Sequence, residues 1–327
     1  MPNPTFGAAN LQWVGVATET VYGTAIALPS TYFPAESPTW KVVQADMVDT
    51  ALRGSMGGEF QQLTGLRHDE ISFKTHIYLD SIFPLLRGIL GLPDVIVGAA
   101  DPYSHKTSLQ NGNNGQPAST TVFWSDGVGK TWQMPGAQLS SVKIAVKVDG
   151  LVDVDVTYIG LPAVPITSPT NTPTTMKPMP SWNSIITIGG IALTKYSEVN
   201  FEIKRATEAI GTVTGTQAPF AIFAGPVTVS GSLTGIYQGS TDNDLTAMIV
   251  NSQPVLLVKI SPANDAVHSI AFQMSVVAYD SAEASGTNKW MEIKSAFKAL
   301  TNPTDVAGGG NQSPMLVTML SATATAI

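Results

Sequence analysis

The sequence predicts an all-β chain with short flanking helices, organised as two tandem β-sandwich or barrel domains. Two observations predict it. Apolar and polar residues alternate in many short stretches, the period of a half-buried strand. Furthermore, an order of strand, long polar loop with glycines, alternating strand and short helix runs over residues 37–91 and returns over 197–254 at nearly the same spacing. At 327 residues the chain is long enough for two domains of roughly 150 residues each.

Taken in order, residues 1–30 read as an N-terminal arm, with a strand-like core at Leu11 to Val16. The first domain covers 31–160. Its strand Ser37 to Val43 leads through Gly54, Gly57 and Gly65 to the alternating strand Ile71 to Tyr78 and then to a helix, with Asp80 as expected N-cap and Gly91 as expected C-cap. It closes on Val142 to Val148 and Leu151 to Ile159, joined by Asp149-Gly150, a hairpin signal. Residues 161–184 carry Pro162, Pro165, Pro169, Pro173, Pro178 and Pro180, which predicts an extended linker without sheet pairing.

The second domain, 185–300, repeats the order. Ser197 to Lys204 leads through Gly211, Gly215 and Gly225 to Val227 to Leu233, followed by a helix opened by Asp242 and Asp244. Two last strands are expected at Ser269 to Tyr279 and Asn288 to Phe297, with a turn-rich stretch at 280–287 between them. In the C-terminal arm, 301–327, the apolar stretch Pro314 to Leu320 either adds a strand to a neighbouring chain or packs back on its own.

Composition narrows the function. Only 13% of residues are charged against 43% hydrophobic, so much of the surface is uncharged, which suggests large contacts with other copies. The net charge is −7, and both halves carry more acids than bases. A nucleic-acid-binding module needs the reverse balance. No cysteine is present, which excludes disulfides, thiolate metal sites and a cysteine nucleophile. Neither a signal peptide nor a membrane span is visible.

Catalytic motifs fail on inspection, so catalytic, cofactor and metal residues are all expected to be none. Gly127-Val128-Gly129-Lys130-Thr131 ends like a phosphate loop, but the first glycine of that motif would fall on Trp124, and flanking strands make it a hairpin turn. His68, His76, His105 and His268 are too scattered for a zinc site. Six tryptophans are spread along the chain, and no two cluster with the polar partners that a sugar site needs.

The segment Glu19-Thr20-Val21-Tyr22-Gly23-Thr24-Ala25, with Pro29 and Phe33-Pro34-Ala35-Glu36-Ser37 after it, resembles the opening of major tail tube proteins of long-tailed, siphovirus-type bacteriophages. Weaker similarity lies in Val156 to Gly160 and in Ile188-Gly189-Gly190. The resemblance implies a non-enzymatic structural protein of the virion tail. Its β sandwiches would join side by side into a ring, and its rings would stack into a tube that carries DNA during ejection. A duplicated tube domain favours three chains per ring over six. The implied partners are other copies, tape measure, tail tip and tail terminator proteins, with DNA passing unbound and assembly in the host cytoplasm.

In such a tube an acidic or neutral wall keeps DNA mobile, whereas lysines on the wall would hold its phosphates. Asp153 and Asp155, with Glu198 and Glu202 in the second half, are the expected lumen-lining residues. The stretch Ala45 to Glu70 reads as a long loop, and Asp46, Asp49, Arg53, Glu59 and Arg67 are the expected inter-ring contacts, with both arms helping by strand addition. Two other readings stay open: another ring-forming tail or secretion-tube component, and a β-sandwich module that binds carbohydrate or a cell surface.

Overall fold

The computed structural model describes residues 8–213, 215–265, 267–286, 289–309 and 311–327. Residues 1–7 of the expected arm, Thr287 and Asn288 at the expected last turn and strand, and Gly310 lie outside them. The strands in chain order begin with β1 Trp13–Thr18, β2 Thr31–Phe33, β3 Glu36–Asp49, β4 Gln61–His76, β5 Val95–Val97 and β6 Tyr103–Thr107. They continue with β7 Thr120–Ser125, β8 Lys130–Lys147, β9 Asp153–Gly160, β10 Val164–Thr167, β11 Ser184–Ile188 and β12 Ile191–Leu193. The last are β13 Tyr196–Ile210, β14 Ala221–Ile236, β15 Leu256–Ile260, β16 Ser269–Met274, β17 Val277–Gly286, β18 Met291–Ala299 and β19 Leu316–Ser321. Helix α1 is Ile82–Leu90 and α2 is Asn243–Ile249.

One antiparallel sheet runs through both halves of the chain in the order β3-β4-β9-β8-β13-β14-β18-β17. Strand β8 is 18 residues long and serves two neighbourhoods. Its later part lies between β9 and β13, and its first part pairs with β7 and β10 in a branch that continues to β1 and β2. A second sheet has the order β12-β11-β15-β16-β19-β6-β5. The two sheets pack face to face, with Phe201 of β13 edge-on to Phe272 of β16 at 5.0 Å between ring centres. On the branch side, Phe33 of β2 meets Phe73 of β4 at 5.5 Å. A single buried apolar cluster joins both sheets, the branch and α1.

The halves carry irregularities at matching places. The β3·β4 register shifts between Gln44 and Asp46, and the β13·β14 register shifts between Arg205 and Thr207. Likewise the β8·β9 hairpin shifts between Leu139 and Ser141, and the β17·β18 hairpin between Tyr279 and Ser281. Each half therefore contributes four strands in the same spatial order with the same bulges.

The stretch 45–70 is mostly strand, not loop. Strand β3 extends to Asp49 and β4 starts at Gln61, leaving a connection of residues 50–60 in a long hairpin. Cross-strand pairing satisfies backbone groups that a free loop would leave to water, which is why the polar sequence still extends. The stretch 161–184 is not free of sheet pairing: β10 pairs with β8, with Val164 opposite Gln133 and Pro165 opposite Trp132, at an edge where a missing N–H is tolerated. The expected strand at 269–279 breaks after Met274. The backbone N–H and hydroxyl of Ser275 both donate to the buried Asp305, which turns the chain from one sheet to the other, and β17 then runs on through the expected turn to Gly286. Finally, β19 packs within its own chain between β16 and β6.

Asp80 does not cap α1; Ser81 occupies the N-cap without a side-chain bond, and the Asp80 carboxylate accepts from the Thr174 hydroxyl instead. Gly91 ends the helix in the left-handed region at φ 93°, and Asp242 caps α2 by accepting from the Asp244 N–H at 3.1 Å. At the C-terminal end of α1 the buried Arg205 guanidinium donates to the carbonyls of Ile89, Gly115 and Gly225 at 2.7, 2.5 and 3.1 Å. Burial without a carboxylate partner lowers its pKa to about 10.

Gly231 sits between two aromatic neighbours, Phe201 on β13 and Phe297 on β18. A Cβ there would lie 2.3 Å from the Asn200 carbonyl oxygen and 2.5 Å from the Phe297 ring. We expect Gly231→Ala to destabilise the fold by about 1–3 kcal/mol in urea denaturation, because the crowded atom is backbone and cannot move aside. The halves are also tied by His268, whose ring nitrogens meet Asp101 at 2.9 Å and Asp265 at 2.6 Å. The bonds to Asp101 and then Asp265 raise the His268 pKa, and the His268 N–H and side chain hold Asp265 at about 2. The tie is thus present between the ordinary carboxylate and imidazole pKa values and is lost as pH rises through the raised His268 pKa. Asp101→Asn should cost no more than about 1 kcal/mol at pH 5.5 and nothing at pH 9, as read by denaturation at both pH values.

Candidate assembly surfaces

The face of the β3-to-β17 sheet that points away from the core carries the four expected lumen residues together. Along β9, Val154, Val156 and Tyr158 are buried while Asp153, Asp155 and Thr157 alternate outward. Along β13, Val199, Phe201 and Ile203 are buried while Glu198, Asn200 and Glu202 face out. Antiparallel partners share a face, and the registers set Asp155 beside Lys143, Lys143 beside Glu202, and Lys147 beside Glu198.

This face is not uniformly acidic. One row across it reads Lys74, Asp155, Lys143, Glu202, Ser230, Lys298, and a second reads Lys147, Glu198, Thr234, Lys294, Glu283. Lys74 Nζ lies 3.7 Å from Asp155, Lys147 Nζ 3.6 Å from Glu198, and Lys298 Nζ 2.7 Å from Asp280. Lysines are thus present on this face: these five each face or touch a carboxylate, whereas Lys204, on the same face, lies opposite Ser141 and Thr228. Exposed pairs of this kind contribute about 0–1 kcal/mol to stability, so their larger effect is on the field above the sheet.

The expected inter-ring residues divide by environment. Asp46 and Asp49 lie on the outer part of β3, Arg53 and Glu59 in the 50–60 connection, and Arg67 on β4. Arg53 pairs with Asp49 and lies over the Phe60 ring at 5.2 Å. Arg67 is engaged within the chain: its guanidinium grips the fully buried Asp69 at 3.0 and 2.9 Å, and Asp69 also accepts from the Trp40 indole and the Ala163 N–H. Leu52 and Met56, at the tip, are fully exposed apolar side chains. The other long hairpin, β13–β14, leans its connection onto β4, with the Arg67 N–H donating to the Gln217 carbonyl at 2.8 Å.

The opening segment 19–25 is a clamp. The buried Glu19 carboxylate accepts four bonds: from the Gly23 N–H at 2.8 Å, the Ser119 hydroxyl at 2.6 Å, the Thr121 hydroxyl at 2.7 Å and the Gly136 N–H at 2.8 Å. Gly23 is needed at φ 69° to bring its N–H back onto Glu19. Tyr22 then reaches the second half, where its hydroxyl accepts from the Ile222 N–H at 2.5 Å. Three of the six tryptophans cluster in space. Trp40 stacks on Trp132 at 4.3 Å and meets Trp124 at 5.9 Å, but all three are partly buried against the core and form no open platform.

Replacing Glu19 by alanine strands two backbone N–H groups and two hydroxyls in the interior. We expect a loss of about 3–5 kcal/mol in denaturant unfolding, with Glu19→Gln falling between it and the parent protein.

Among the described residues no helix is long and apolar enough to cross a membrane. No individually curated protein matches the chain. A sequence profile described as phage tail tube protein matches residues 10–326, nearly the whole chain. The mostly antiparallel β architecture, the motif clamp and this match together make the protein a structural component of the virion tail: the chain belongs to the phage tail tube protein family.

Proposed function

We propose that three copies close head to tail into a ring of pseudo-sixfold symmetry, and that rings stack into the tube of a siphovirus-type tail. The observation that carries this reading is the repeated four-strand unit, β3-β4-β9-β8 followed by β13-β14-β18-β17, with bulges at equivalent places. Two tube units per chain make three chains equivalent to six single-unit subunits. The sheet face holding Asp153, Asp155, Glu198 and Glu202 then lines the lumen, because the opposite face is already buried against the second sheet.

DNA passes through this conduit during ejection without specific binding. A lysine already facing a carboxylate, as five of those on this face do, releases few counterions when a phosphate approaches, so the wall holds the duplex weakly and does not repel it strongly. Tape measure, tip and terminator proteins are the further partners, and assembly takes place in the host cytoplasm. Asp46, Asp49, Arg53 and Glu59 belong to the part of the β3–β4 hairpin that meets the adjacent ring. Arg67 serves that contact indirectly, by fixing β4 through Asp69.

Electron microscopy of the concentrated protein tests the ring. End-on views with threefold density inside a sixfold outline are expected; true sixfold density would exclude two tube units per chain. Replacing residues 51–59 by a short turn should leave a folded protein, by circular dichroism, that forms no tubes. Tubes of normal length from that variant would remove the hairpin from the ring contact.

A further inference from the structure

Strands β3 and β17 end the long sheet, and among the described residues each pairs on one side only, β3 with β4 and β17 with β18. Inside the chain the equivalent edges are already joined. Strand β8 corresponds to β17, since both open a hairpin with the same bulge, and β13 corresponds to β3, since both pair across the next bulge. The β8·β13 joint therefore shows how one four-strand unit accepts the next.

Resting on the ring reading above, we infer that β17 of one copy pairs antiparallel with β3 of the next in the register that β8 and β13 use. Transferring that register sets Val43 opposite Ser281, Val42 opposite Ala282, Lys41 opposite Glu283, Trp40 opposite Ala284 and Thr39 opposite Ser285. The transferred pairs stop before Pro38, which has no N–H to donate.

Charge supports this register. In the internal joint Glu202 of β13 faces Lys143 of β8. In the seam Lys41 faces Glu283, the same position with the signs exchanged. The row Lys147, Glu198, Thr234, Lys294, Glu283 would continue into Lys41 and Glu70 of the next copy without placing like charges side by side. Lys41 Nζ lies 3.4 Å from Glu70 and is already aligned along that row.

Burial supports it independently. On the core side of the internal joint, Ile203 and Val142 are fully buried. Their counterparts at the free edges are not: Val42 is 42% exposed and Ala282 is partly exposed. Pairing β17 with β3 would cover Val42 as β8 covers Ile203.

The absence of cysteine allows a direct test in assembled tubes. Facing residues in antiparallel strands have Cα atoms roughly 4.5–5.5 Å apart, within disulfide reach, and a two-residue slip takes them to about 7–8 Å, outside it. Thr39→Cys combined with Ser285→Cys should cross-link chains upon oxidation of tubes, and Thr39→Cys with Glu283→Cys should not. Lys41→Glu or Glu283→Lys alone should lower the yield of assembled protein at low salt roughly tenfold, and the double exchange should restore it. Circular dichroism of each variant separates lost assembly from lost folding.

Tubes that cross-link preferentially through Thr39 and Glu283, or through neither pair, would overturn the register while leaving the ring reading intact. Should the cysteine variants fail to assemble, the charge exchange decides: no rescue in the double variant overturns the seam. Failure of the parent protein to form any ring or tube, even with tail-tip proteins added, would overturn both.

Discussion

The backbone ladder between β8 and β13 is the joint on which the architecture depends. Seven facing pairs from Glu198–Lys147 to Lys204–Ser141 fuse the halves into one sheet. A slip of one residue would turn Phe201 and Ile203 outward and bury Glu202 and Lys204. The core therefore fixes the register as firmly as the hydrogen bonds do, and Phe201 against Phe272 fixes the second sheet to the same frame.

Buried polar groups secure the places where the chain departs from regular pairing. Glu19 ties the opening segment to β7 and to Gly136 of β8, Asp305 turns the chain between sheets, and Arg205 joins the end of α1 to the carbonyls of Gly115 and Gly225. In the second half, Lys195 donates to Asp242 at 2.6 Å while Asp244 accepts from Tyr196 at the same distance, and burial with the nearby Asp244 raises the Tyr196 pKa. Each of these groups is satisfied, as an interior of low dielectric demands.

Much of this was legible in the sequence. Alternation gave the faces of β9 and β13 correctly, Asp149-Gly150 gave the β8–β9 hairpin, and Gly91 gave the end of α1. The lumen candidates Asp153, Asp155, Glu198 and Glu202 do share one face. What stayed hidden depends on partners distant in sequence. Nothing local in Ala45 to Glu70 reveals that it pairs with itself as a hairpin, and nothing local at Lys74 or Lys143 reveals that each faces Asp155. Glu19 read as part of a motif, but its four donors come from Gly23, Ser119, Thr121 and Gly136, which only the fold assembles. The break after Met274 is equally invisible, because its cause is Asp305, some thirty residues further on.

The position of β19 bears on how the molecule comes into being. Its strand partner β6 and the neighbouring Leu109, which donates to Ser313 across 204 residues, belong to the first half of the chain. During synthesis β6 thus waits, with one edge open, for a strand made far later, and the second sheet closes only when that strand arrives. Contacts so distant in sequence slow folding. They also impose an order on it: the second sheet cannot be complete before β19 has emerged.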